Sequence, residues 1–249
     1  MEEWIKAQLS ERQPPVGQLG IMAQRWEHLL FLHWPFDPIA VQRTLPDGLS
    51  VDTYQDRAWI GVVPFRMRNV RAVALPFLSS NFLELNLRTY VRDSRGVPGV
   101  WFYSLDANNP MAVWTARLFF GLPYRHAEMH VKSGDGEIRY SSRRRGSATV
   151  QEYRSQPSDE LGEAKPGSLE FFLIERYRLF SVRGGQILTG RVYHSPYQLG
   201  EATVTRFDSY LFELDGFEPP AEPPYSVLCA ARVDVTIYPM TELLTQAQE

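Results

Sequence analysis

Turn signals recur along this chain at intervals too short for long helices: Pro46-Asp47-Gly48, Asp93-Ser94-Arg95-Gly96, Ser133-Gly134-Asp135-Gly136 and Gly184-Gly185. Between them lie segments of strand length, rich in aromatic and branched residues. Residues 83–91 alternate most clearly. Leu83, Leu85, Leu87 and Thr89 fall on one side, and Glu84, Asn86, Arg88 and Tyr90 on the other. Residues 100–105 follow as a hairpin partner. Strands are also expected at 22–33, 51–54, 58–67, 124–132, 137–144, 147–154, 177–183, 187–194, 202–207 and 227–238. Ten or more short strands with few helices predict a mainly antiparallel β, α+β fold: a sheet or barrel with a few outer helices. A doubly wound nucleotide-binding fold needs strands and helices in steady alternation, which this chain lacks.

Three helices are expected inside this framework. Asn109 can cap one, with Pro110 at its first position, Met111, Trp114 and Leu118 on one face, and Gly121 at its end. Asp37-Pro38 opens a short helix that ends by Leu45, and Ser168 caps another over 169–176. Residues 1–20 read as an N-terminal helix and loop. Trp4, Ile5 and Leu9 share a face there, to pack on the body of the chain or on a partner. Residues 21–249 then form a single barrel-like domain. The polar stretch 155–167 reads as its best internal linker, and 218–224, with four prolines, as a loop.

Charge and motifs exclude several classes of function. Lys plus Arg is 26 against 29 Asp plus Glu, a net charge of −3, so nothing electrostatic favours a nucleic-acid partner. The run Arg143-Arg144-Arg145 reads as a solvated cluster. Cys229 is the sole cysteine, which rules out an intrachain disulfide, and its apolar neighbours suggest a buried, inert thiol. No stretch approaches the ~18 apolar residues of a membrane span, and Met1-Glu2-Glu3-Trp4 lacks the basic start of a signal peptide. A soluble cytoplasmic protein is expected, with no cofactor; a homo-oligomer stays open. Dinucleotide, phosphate-loop and serine-elbow motifs are absent. His126 and His130 fall on one strand face about 13 Å apart, too far to share a metal, and no metal site is expected.

Five separated segments carry a resemblance. They are Gly61-Val62-Val63-Pro64-Phe65-Arg66-Met67, the 83–107 hairpin, 116–124, 169–177, and His194-Ser195-Pro196-Tyr197. In this order they resemble the bacterial family called domain of unknown function 2071, over roughly residues 22–240. That family is similar in architecture to acetoacetate decarboxylase, so the resemblance implies a barrel-like domain with an internal pocket. The decarboxylase's Gly-x-Pro-Lys-Lys segment holds a Schiff-base lysine activated by a neighbouring lysine. The matching segment here is Gly121-Leu122-Pro123-Tyr124-Arg125. A phenol forms no imine, and a guanidinium does not deprotonate at usable pH. The cations are 23 Arg and only three Lys, and Lys6, Lys132 and Lys165 all fall in segments that look solvated. Schiff-base decarboxylation is therefore not expected.

The resemblance also aligns Glu84 with a pocket carboxylate, and Asn86 and Arg88 share its face. Either that face lines the interior and holds an acid or hydroxyl-bearing ligand, or it is the solvent side of an amphipathic strand. Arg117 either reaches a pocket or pairs at the surface. Glu175 and Arg176, adjacent at a helix end, cannot face each other, and at least one is expected to pair with the barrel. His194 is either a general acid or base or a hydrogen-bonded structural histidine. Three functional readings follow. The leading one is a small-molecule pocket lined by Glu84, Arg88, Tyr124, Arg125 and Arg117. The second is an enzyme in which Glu84 or His194 acts as base and Arg88 or Arg125 stabilises an enolate or carboxylate. The third is an interaction protein marked by an exposed apolar patch that includes Trp4, Ile5 and Leu9.

Overall fold

The computed structural model describes residues 2–243; positions 1 and 244–249, at the two ends of the expected segments, lie outside the described residues. In chain order the elements are α1 Glu3–Ser10, β1 Met22–Phe36, α2 Pro38–Gln42, β2 Leu49–Val51, β3 Ala58–Ala72, β4 Ser80–Asp93, β5 Pro98–Ala107, α3 Pro110–Phe120, β6 Tyr124–Gly134, β7 Glu137–Arg144, β8 Gln151–Gly162, α4 Leu169–Ile174, β9 Arg178–Arg183, β10 Gln186–His194, β11 Leu199–Phe207, α5 Tyr210–Leu214, β12 Ser226–Ile237 and β13 Thr241–Glu242. The fold is sheet-dominated and mainly antiparallel, as the turn signals imply. No helix among the described residues is long and apolar enough to cross a membrane.

The helix starts follow the capping residues. The Asp37 carboxylate accepts from the amides of Ile39 and Ala40 at 3.1 and 3.3 Å, with Pro38 at the first helical position. Asn109 Oδ1 accepts from the Ala112 amide at 3.1 Å, and Gly121 ends α3 with φ of 62°. A Cβ there would also stand 2.8 Å from the Val182 carbonyl oxygen, so this turn requires glycine twice over.

Four expectations are corrected. The supposed linker at 155–167 is largely strand, because β8 runs to Gly162 and pairs with β11 at Ser155↔Val204 and Pro157↔Ala202. Its outward residues are exposed and polar, which hid the strand pattern, and Pro157 sits next to a register shift where its missing donor is tolerated. The strand expected at 51–54 ends at Val51, and Gln55 and Asp56 turn the chain at φ of 51° and 58°. The helix 169–176 stops at Ile174. Lastly, α5 and β13 were not foreseen.

β5 and β12 each fork the sheet. The start of β5 pairs in parallel with β9 (Val100↔Leu179), and its end in parallel with β6 (Leu105↔Tyr124). β12 pairs with β11 over residues 228–230 and with β10 over 235–237. Strands β12, β1, β3, β4 and β5 therefore belong to two closed circuits of hydrogen-bonded strands. One circuit is completed by β9 and β10, the other by β6, β7, β8 and β11.

Each face of the shared strands has its own core. Leu29, Phe31, Val63 and Phe65 point to one, and Leu30, Leu32, Val62, Leu85 and Leu87 to the other. Successive side chains of a strand point to opposite faces, so alternation here sorts residues between two interiors rather than between interior and water.

α1 docks on the first side. Ile5 is buried, Trp4 packs edge-on against Tyr54 and Phe172 with ring centroids 6.0 Å apart, and Gln8 Nε2 donates to the Phe171 carbonyl at 2.6 Å. The expected helix face is used, on the body of the chain, so Trp4, Ile5 and Leu9 form no exposed patch. Arg144 departs from the solvated reading of the arginine run. It donates to Asp106 at 2.8 Å, Asp215 at 3.1 Å and Ser104 at 2.7 Å, while Arg143 and Arg145 are exposed.

Candidate functional site

A cavity of about 510 Å3 opens on the first side of the shared strands. β4 supplies one wall through Ser80, Phe82, Glu84, Asn86 and Arg88. β3 places Met67, Phe65 and Val63 opposite Phe82, Glu84 and Asn86, and all three line the same space. On β5 the register shifts between Leu87↔Ser104 and Arg88↔Phe102. That bulge keeps Phe102 on the same side as Leu105, three residues away, which a strict two-residue period forbids.

Glu84 is the centre of the polar part. It is 2% exposed and accepts from the Tyr124 hydroxyl at 2.5 Å and from Asn86 Nδ2 at 3.1 Å. Burial pushes its carboxyl up to about 7; the two hydrogen bonds and the charge of Arg88 oppose the shift without cancelling it. Tyr124 is held well above the usual phenol range, by burial and then by the Glu84 charge, so it keeps its proton and donates. From the opposite side Tyr140 donates to the backbone carbonyls of Phe65 and Glu84 at 2.9 and 2.8 Å. This fixes the backbone that carries the acid.

Polar capacity is left over at this site. Asn86 Oδ1 and Arg88 Nε are buried without a hydrogen-bond partner. Among the described residues Arg88 enters no ion pair. Its guanidinium lies over the Phe31 and Tyr90 rings at 5.6 and 5.8 Å from their centroids. Arg176 also lines the cavity, but it is engaged. It donates to Asp52 and to the Phe172 carbonyl, both at 2.7 Å, and lies 4.3 Å over the Phe172 ring. Glu175, its neighbour, takes Arg12 at 2.9 Å and the Tyr177 hydroxyl, so both residues pair with separate partners.

Glu84, Arg88 and Tyr124 thus meet at one cavity, while three other sequence candidates do not. Arg125 is exposed on β6, because an inward Tyr124 turns the next side chain outward. Arg117 is exposed on α3. His194 is buried behind the wall. Its Nδ1 is 2.8 Å from the Ser195 carbonyl, and its ring packs on Tyr177 and Tyr197, each at a centroid distance of 4.6 Å. Burial lowers its pKa to about 4, so it is a neutral structural imidazole. Lys6, Lys132 and Lys165 are all exposed, which leaves the cavity without a lysine among the described residues.

Sequence reasoning missed Tyr140 and the pair His33 Nε2···Tyr90 hydroxyl at 2.6 Å. The one available signal was Gly61 inside an apolar strand. A Cβ there would stand 2.8 Å from His33 Cδ2. A second cavity, about 400 Å3, lies beside the other circuit and includes His28, Tyr153, Glu160 and Cys229 in its lining. Cys229 is only half-buried, against expectation, although burial does push its thiol up. No cluster of three or more metal-ligating side chains occurs among the described residues.

The chain is similar to solved structures of related architecture. The enduracididine biosynthesis enzyme MppR complexed with pyruvate superposes with a TM-score of 0.66 at 15% identity, covering 92% of both chains. The acetoacetate decarboxylase of Legionella pneumophila superposes at 0.62 and 12% identity, covering 99% of this chain and 98% of that one. An acetoacetate decarboxylase-like enzyme from Sphingomonas wittichii RW1 gives 0.60 and 12%, covering 91% and 94%. At such identities the likeness is one of fold. A curated relative, the uncharacterized protein YqjF of Bacillus subtilis (strain 168), is 35% identical over 225 residues, or 89% of this chain and 92% of the relative. The family model DUF2071, described as an uncharacterized conserved protein, matches residues 23–234. With that match spanning most of its length, the chain belongs to the DUF2071 family.

Proposed function

We propose that the cavity binds a small carboxylic acid, with the Arg88 guanidinium holding the carboxylate and Glu84 with Tyr124 handling a proton. One observation carries the reading. A guanidinium with a buried Nε and, among the described residues, no ion-pair partner shares a cavity with a buried carboxyl pushed up to about 7. Guanidinium–carboxylate hydrogen bonds are charge-assisted and gain strength where water is excluded. The protein atoms left unsatisfied, Arg88 Nε and Asn86 Oδ1, are a donor and an acceptor, which suits a carboxylate beside a hydroxyl or protonated group. Because pyruvate is bound by a protein of the same fold, 2-oxo acids are the natural first probes.

Isothermal titration with pyruvate and 2-oxobutanoate tests this. Binding by the wild type, and a loss of at least tenfold in Arg88→Met, is expected. Equal affinity in the two proteins would remove Arg88 from the site.

The shift of Glu84 favours a second, catalytic reading without an imine. An ionised Glu84 takes the proton from the carbon next to a substrate carbonyl. The C–H electron pair moves into the enolate, whose oxygen accepts a hydrogen bond from Arg88, and from the Tyr124 hydroxyl once the protonated Glu84 no longer needs its proton. Return of the proton restores the carboxylate. Exchange of the C3 protons of 2-oxobutanoate in D2O, followed by proton NMR, reads this step. Glu84→Gln is expected to slow it by roughly a hundredfold or more. An exchange rate no faster than that in buffer would confine the protein to binding.

A further inference from the structure

The geometry points to a more specific ligand: an amphipathic acid whose carboxylate carries an apolar tail of about six to ten carbons. This rests on the reading of Arg88 as the carboxylate anchor and adds what the rest of the cavity takes.

Volume is the first ground. At the ~30 Å3 that one water occupies in the liquid, the six non-hydrogen atoms of a three-carbon oxo acid fill no more than about 180 Å3. The cavity holds about 510 Å3, so a short acid leaves most of it empty.

The second ground is the order of residues along β4. Side chains on one face repeat about every 7 Å. Arg88, Asn86 and Glu84 follow one another, and then come Phe82 and, at the end of the row, Ser80. Beyond Glu84 the apolar lining includes Met67, Val70 and Leu78, and Met111 of α3 lines the same cavity. The carboxyl, amide and guanidinium of β4 thus give way to a wall that is mainly apolar, with Arg71, Ser79 and Ser80 as its polar members beyond Glu84.

The mouth is the third ground. Of the lining side chains, Leu78 is 61% exposed and Met111 75%. Large exposed apolar side chains around an opening mark the route of an apolar ligand. They cost a protein solubility where only a small hydrophilic acid has to pass.

The test is a series of straight-chain saturated carboxylates from four to twelve carbons, titrated calorimetrically below their micelle concentrations. Affinity is expected to rise about threefold to fourfold per methylene and to level off near eight to ten carbons. Affinity that is independent of chain length overturns the inference while leaving Arg88 as a carboxylate anchor. No binding at any length overturns both. Two exposed positions give an independent check, since Leu78→Glu and Met111→Glu alter side chains that the fold does not bury. Each is expected to cut the ratio of ten-carbon to four-carbon affinity at least fivefold, whereas Arg88→Met weakens all lengths by a similar factor. An unchanged ratio in both mouth variants places the tail elsewhere and overturns the inference.

Discussion

Leu85 and Leu87 face a core of Leu32, Ile60 and Val62, while Glu84, Asn86 and Arg88, one residue away on the same strand, face the cavity. Both sides bury charge, but they treat it differently. On the leucine side Arg144 meets two carboxylates, Asp106 and Asp215, and the Ser104 hydroxyl. On the cavity side Arg88 enters no ion pair among the described residues and rests on aromatic rings. Burial alone therefore does not separate a structural charge from a functional one. The useful mark is a buried donor whose natural acceptor the protein does not supply.

Substitutions on the two sides are expected to differ accordingly. The largest stability effect is expected for Arg144→Ala, which strands Asp106 and Asp215 and costs about 3–5 kcal/mol by urea unfolding. A cost under about 1 kcal/mol would place Arg144 in the same class as Arg88.

Glu84→Gln comes next. The folded pKa of Glu84, about 7, lies above the ordinary 4.5, so the folded chain holds an extra proton between those values. Glu84 is best tolerated at the acid end, and stability falls as pH rises through 7, by a total of about 3 kcal/mol. His194, lowered from 6.5 to about 4, acts oppositely, with stability rising between pH 4 and 6.5. The informative quantity is therefore the difference between Glu84→Gln and wild type. It is expected to grow in the variant's favour from pH 4.5 to pH 8. A difference independent of pH would show that Glu84 does not titrate in this range.

Tyr124→Phe removes a donor to Glu84 and is expected to cost about 1–3 kcal/mol. It also raises the midpoint of Glu84 further, which carboxyl carbon-13 NMR reads directly. Arg88→Met is the smallest in stability, within about 1 kcal/mol, because no acid is stranded by its removal. A stability loss like that of Arg144→Ala would erase the contrast between the two sides.

Much of this could be read from particular residues. The alternation at 83–91 placed Glu84, Asn86 and Arg88 on one face, and Asn109-Pro110 with Gly121 delimited α3 to within a residue. Arg125 failed as a site residue for a local reason, since neighbours on a strand cannot both point inward. The strand expected at 147–154 is the inner part of β8; the rest, to Gly162, was missed because it is exposed and polar, so composition outweighed periodicity. Tyr140 was not legible at all. Its hydroxyl bonds to carbonyls 75 and 56 positions away in sequence.

The strands and their turns and the two faces of β4 are written in the amino-acid order. They follow from backbone pleat, capping and side-chain chemistry, which act over a few residues. The structure decided that β4 is buried on both faces over residues 84–87, that His194 and Arg125 stand outside the cavity, and that Arg144 is paired while Arg88, among the described residues, is not. Those outcomes depend on forks at β5 and β12 and on partners as distant as Arg144 and Asp215. A local pattern states which residues share a side; only long-range pairing of strands decides what lies across from them.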